Sequence, residues 1–148
     1  MGTAGVYMTL GDRKRAGELL DESLDFIRGL DELGWIAVEL SSLAWAAQKL
    51  GRGEEVLEAV KDEQLETPWL LAARAIAGGD FVRAAEIFGG MGDVSLQAFY
   101  RLCAAEALVA EGRRAEADEQ LRPALAFYRG VGAARYVREG ETLLAASA

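Results

Sequence analysis

The chain has 148 residues, 51% hydrophobic and 27% charged with two prolines, so it is long enough for one folded domain burying about 68–70% of its unfolded surface and unlike a disordered segment. Sixteen basic residues against twenty-four acidic ones give a net charge of −8, which repels phosphate backbones and sets nucleic acid aside as a partner. Histidine is absent, which removes the commonest general base and transition-metal ligand, and the single cysteine, Cys103, permits neither an intrachain disulfide nor a paired-thiol metal site, pointing to the cytoplasm.

Helical periodicity predicts an all-α chain with helices at 2–10, 13–29, 34–50, 53–63, 68–77, 81–89, 94–111, 114–130 and 133–146. The basic cluster Arg13, Lys14 and Arg15 is answered by Glu18, Asp21 and Glu22, and reads as a solvated helix start. The apolar stretch from Trp35 to Leu50 carries Glu39, Ser41, Ser42, Gln48 and Lys49, so it is no membrane span, and no signal peptide opens the chain. Thr67-Pro68 reads as a helix cap followed by proline at the first helical position, and Asp93 as the cap of the following long helix. Gly89-Gly90-Met91-Gly92 follows a helix instead of a strand, which makes it a turn and not a nucleotide fingerprint. Cys103, in an alanine-rich helix, reads as a buried small hydrophobe. Pro123 predicts a kink or a helix restart, since proline removes a hydrogen bond and clashes with the preceding turn.

Four segments repeat one pattern: LGDRKRAGELL from Leu10, LGRGEEVLEAV from Leu50, GGDFVRAAEIF from Gly78 and EGRRAEADEQL from Glu111. Their anchors are Gly11, Gly51, Gly79 and Gly112, each expected to close a helix in a left-handed cap. Five residues later stand Ala16, Val56, Ala84 and Ala117; nine later stand Leu20, Val60, Phe88 and Leu121; seven earlier stand Ala4, Ala44, Ala72 and Ala105. The plus-five and plus-nine residues share one helical face, and the small residue mid-helix lets a neighbouring helix approach closely.

This pattern resembles the tetratricopeptide repeat, with a small residue midway along helix A, a turn, then a small and a large apolar residue on helix B. The anchor spacings are 40, 28 and 33 residues (51 minus 11, 79 minus 51, 112 minus 79) against about 34 in the standard repeat. The family's aromatic near the start of helix A is replaced by Leu40, Pro68 and Arg101, and its helix-ending proline is missing. The resemblance implies a right-handed superhelical stack of antiparallel helix pairs, an α-α solenoid of about nine helices. It would form a single domain over 1–148 with units near 1–30, 34–63, 67–92 and 94–131 and a capping helix at 133–148. The first unit looks as though the chain begins within a repeat, with more expected upstream, whereas the last helix looks like a natural end. The closing LAFYRGVGAARYVREGETLLAASA is similar to the C-terminal repeat tails of bacterial multidomain signalling ATPases and cyclases and of LuxR- and MalT-type regulators, which implies the tail of a larger signalling protein.

No catalytic residue, metal ligand or cofactor is expected. Adjacent acidic pairs such as Glu54 and Glu55, or Asp118 and Glu119, diverge around a helix and share no site. In the tetratricopeptide family the partner lies against helix A side chains, and by position this face comprises Val38, Ser41, Trp45, Gln48 and Lys49, then Trp69, Ala73 and Ile76, then Phe99, Leu102, Glu106 and Val109. The groove candidates proper are Ser41, Trp45, Gln48, Trp69, Ile76, Phe99, Leu102 and Glu106. The expected function is a scaffold for a protein or peptide. A homo-oligomerisation module is the alternative, a small-ligand sensor a third, and enzymatic activity the last. Equally open is whether Trp45, Trp69 and Phe99 simply fill the core.

Overall fold

The computed structural model describes residues 3–147, the side chains of residues 3, 35 and 147 excepted. The described residues form nine α-helices and one 3-10 helix: α1 Thr3–Thr9, α2 Arg13–Arg28, a 3-10 stretch Gly34–Glu39 leading into α3 Leu40–Lys49, α4 Gly53–Ala59, α5 Pro68–Ala77, α6 Phe81–Gly90, α7 Val94–Ala110, α8 Arg114–Gly130 and α9 Ala134–Ser147. The fold is therefore all-α, and the predicted helices coincide with these to within a residue or two except at two places. The expected 34–50 helix begins as a 3-10 turn, and the expected 53–63 helix stops at Ala59. The predicted start at residue 2 lies outside the described residues.

Local chemistry accounts for the helix ends. The side chains of Asp12, Thr67 and Asp93 accept hydrogen bonds from the amides of Arg15, Leu70 and Leu96 at 3.0, 3.2 and 2.9 Å, satisfying donors that a helix start leaves orphaned. At the other end one device recurs. Gly11, Gly51, Gly79, Gly92, Gly112 and Gly132 all have φ between 70° and 81°. In the first, the Gly11 amide donates to the Met8 carbonyl and the Asp12 amide to the Tyr7 carbonyl, and the other five repeat this pair of bonds. This is the Schellman turn, which needs the left-handed backbone that glycine adopts without strain. α8 runs through Pro123 without a restart; Pro123 and Glu119 are both exposed, so water can serve the Glu119 carbonyl that proline leaves without a donor.

The chain divides into two compact units, residues 1–80 and 81–148, with the division inside the third expected helix pair. In the first unit α1 lies beside α3 and α3 beside α5, while α2 packs on α1, α3 and α4, and α4 on α3 and α5. The contacts are close: a β-carbon on Gly5 of α1 would stand 2.6 Å from Ser42 Oγ near the start of α3, and one on Gly79, just past α5, would stand 3.4 Å from Gln48 near the end of α3. Arg52 joins α4 to α2, pairing with Asp21 at 2.5 Å as well as with Glu55 at 2.6 Å. The expected partners of the basic cluster are thus partly redistributed. Glu18 answers Arg15 at 2.9 Å, Asp21 turns to Arg52, and Arg13 donates to the Lys49 carbonyl.

In the second unit α7 packs against α6, α8 and α9, and α8 against α9. Ala98, Leu102, Ala105, Leu108, Ala117, Leu121, Ala124 and Tyr128 form one buried cluster. Phe88 and Phe81 stack on Tyr100 at centroid distances of 5.3 and 6.3 Å, and burial pushes the Tyr100 hydroxyl above its ordinary pKa. The repeat positions read from the sequence are core throughout: Ala4, Ala44, Ala72, Ala105, Ala16, Val56, Ala84, Ala117, Leu20, Val60, Phe88 and Leu121 are all no more than 2% exposed.

Candidate functional site

The helix A face is partly surface and partly core. On α3, Ser41 is buried, whereas Trp45 and Gln48 are half-buried; on α5, Trp69 is half-buried and Ile76 is fully buried, as is Ala73. On α7, Leu102 belongs to the buried cluster, Phe99 is half-buried and Glu106 is exposed. The reason is angular. Ser41 and Leu102 lie three residues before the core alanines Ala44 and Ala105, and Ile76 lies four after Ala72, so each shares the inward face of its helix. Ser41, Ile76 and Leu102 are therefore unable to line a groove. Phe99 packs edge-on against Tyr136 of α9 at 6.3 Å, which assigns it mainly to packing. Trp45, Gln48 and Trp69 remain as partly exposed side chains of the adjacent helices α3 and α5, with Val38 exposed just before α3.

A second site has no counterpart in the sequence reading. α2 and α4 end without a glycine turn: Gly29 has an ordinary right-handed φ of −87°, and Val60 follows α4 in an irregular conformation. The two segments that follow, 29–33 and 60–67, come together. Glu63 accepts from the Leu33 amide and from the Leu65 amide, both at 2.9 Å, and the first of these contacts in particular holds its carboxyl below the ordinary carboxylate range. Arg74 of α5 donates to the carbonyls of Val60 at 3.0 Å and Glu63 at 3.2 Å and pairs with Glu66 at 3.4 Å. These bonds tie the segment after α4 to the 29–33 segment and to α5.

Between the two segments lies a cavity of about 730 Å³. Ile27, Leu30, Leu33, Ala59 and Leu65 supply its apolar lining, and Asp31, Glu32, Glu58, Asp62 and Glu63 its acidic lining, with Arg28 the one cation among the described lining residues. The carboxylates do not converge on a point: among the described residues no group of three or more His, Cys, Asp or Glu is placed to hold a metal ion. Cys103 is buried in α7, 6% exposed, as its alanine-rich helix led one to expect. Among the described residues no helix is long and apolar enough to cross a membrane.

No protein-family model matches the chain, and neither a curated protein nor a solved structure matches it. The cavity escaped sequence reasoning because its walls are drawn from residues 27–34 and 58–65, about thirty positions apart, and neither stretch carries a motif. The only local signal is the pair of helix ends without a glycine turn.

Proposed function

We propose that the chain is a tetratricopeptide-like scaffold that binds a protein or peptide, acting in the bacterial cytoplasm as the tail of a larger signalling protein and carrying out no catalysis. The observation that carries the reading is the row of neighbouring helices α1, α3, α5, in which the core alanine of each helix permits close approach and Trp45, Gln48 and Trp69 keep part of their surface in solvent. Aromatic side chains in this state bring large contact area at little entropic cost, and such residues dominate interface energies. The net charge of −8 supports a protein partner over nucleic acid.

Light scattering on the purified chain, with circular dichroism of Trp45→Ala and Trp69→Ala prepared separately, tests the reading. A monomer is expected, with both variants keeping their helices and losing less than the roughly 3–5 kcal/mol that a fully buried tryptophan costs. A loss of that full size in both variants would assign the tryptophans to the core and remove the groove. A dimer that either substitution dissociates would replace the scaffold with self-association.

A further inference from the structure

We infer that the cavity between residues 29–34 and 60–65 is the docking site for a basic, amphipathic segment of a partner protein, its lysine or arginine side chains meeting the carboxylate rim and its apolar side chains the floor. The inference rests on the scaffold reading and adds to it the chemistry of the partner. The first support is uncompensated charge. Several carboxylates elsewhere are answered within their own helix, as Glu18 is by Arg15, Asp118 by Arg122 and Glu139 by Arg135. At the cavity Glu58 is held by Lys61 and Glu63 by backbone amides, but Asp31, Glu32 and Asp62 make no ion pair among the described residues, and Arg28 pairs with Asp25. The second support is the sixteen-residue helix α2, whose C-terminal turn, the negative end of its dipole, forms part of the wall. The third is apolar surface beside the charge: Leu65 stands 65% exposed at the rim, with Leu30 half-buried.

These features select among occupants. A leucine beside carboxylates suits a side chain with an apolar stem and a cationic head, which is what lysine and arginine offer. A lone metal ion needs converging ligands, which the described carboxylates do not provide. A second copy of this chain carries the same charge of −8 and is repelled at long range, as are nucleic acid and an anionic membrane. The volume lies within the roughly 300–1,000 Å³ of sites that enclose ligand groups, so it takes a few side chains of a segment and not a folded domain.

The test uses the full chain and a short fluorescein-labelled peptide of leucine and lysine in helical amphipathic order, with the same peptide carrying glutamate for lysine as its counterpart. The lysine peptide is expected to raise the anisotropy and the glutamate peptide to leave it unchanged, with at least ten-fold weaker binding at ~500 mM than at ~50 mM salt. Asp31→Asn, Glu32→Gln and Asp62→Asn combined should weaken binding at least ten-fold. The charge-matched control, Glu22→Gln, Glu54→Gln and Glu119→Gln, alters three exposed carboxylates outside the cavity and should bind as the parent does. Leu65→Ser should weaken binding several-fold, and circular dichroism shows whether each variant keeps its helices. Equal weakening by the two triple variants would reduce the effect to net charge and overturn the inference, as would no binding of the lysine peptide. Loss of binding on Trp45→Ala or Trp69→Ala with the cavity variants unaffected would overturn the cavity and leave the scaffold reading standing.

Discussion

The two units join their helices differently. In residues 81–148 every connection is a Schellman turn, at Gly92, Gly112 and Gly132, and each helix hands over to the next within about three residues. In residues 1–80 glycine turns at Gly11 and Gly51 alternate with the irregular segments 29–33 and 60–67, and only the irregular segments enclose the acidic cavity. A turn that closes on its own backbone bonds is self-sufficient and leaves no room. A longer connection has to find partners for its amides and carbonyls elsewhere, and here it finds them in Glu63 and Arg74.

Substitutions can break or sharpen this contrast. The largest effect is expected at Gly53, where α4 passes so near the end of α5 that a β-carbon would overlap the Ala77 carbonyl oxygen; Gly53→Ala should cost about 1–3 kcal/mol in urea denaturation. Gly140→Ala in α9 is the matched case, because the atom met there is Leu125 Cδ2 at 2.6 Å, the mobile end of a side chain, and its cost should be well below that of Gly53→Ala. Replacing Arg74 with methionine leaves two carbonyls of the 60–67 segment without their donor, with an expected loss of about 1–2 kcal/mol and faster amide exchange confined to residues 60–67. Uniform exchange across the first unit would instead make the segment part of the cooperative core.

Gly112 and Gly29 separate the two kinds of helix end directly. Alanine at Gly112, with φ of 76°, should lose about 1 kcal/mol, whereas alanine at Gly29, with φ of −87°, should be neutral or gain up to about 0.5 kcal/mol. Equal losses would mean that the positive φ is not what the glycine turn requires. The smallest effect concerns pH. The Glu63 carboxyl is lowered in the folded chain, so its contribution is present above the unfolded value of about 4.3 and is lost as the pH falls through the folded value. Below about pH 4 the Leu33 and Leu65 amide resonances should move together in a nuclear magnetic resonance titration, and Glu63→Gln should flatten both curves.

The sequence by itself determined what is local. The glycine anchors, the caps at Thr67 and Asp93 and the alternation of small and large apolar residues specify where helices lie and which face is buried, because each rests on bonds or contacts within a few residues. Only the tertiary structure showed where α4 stops, that the stretch from Gly34 begins as a 3-10 turn, and which of the candidate groove residues face inward. Residues 60–63 read as helix by composition, yet in the structure the carboxylate of Glu63 accepts from the Leu33 amide, thirty positions earlier, and the carbonyls of Val60 and Glu63 accept from Arg74. Ile76 and Leu102 looked equivalent to Trp45 and Trp69 until the neighbouring helices were in place and buried them. Tertiary context overrides local propensity in such a segment, because the partners that hold it lie on other elements of the fold.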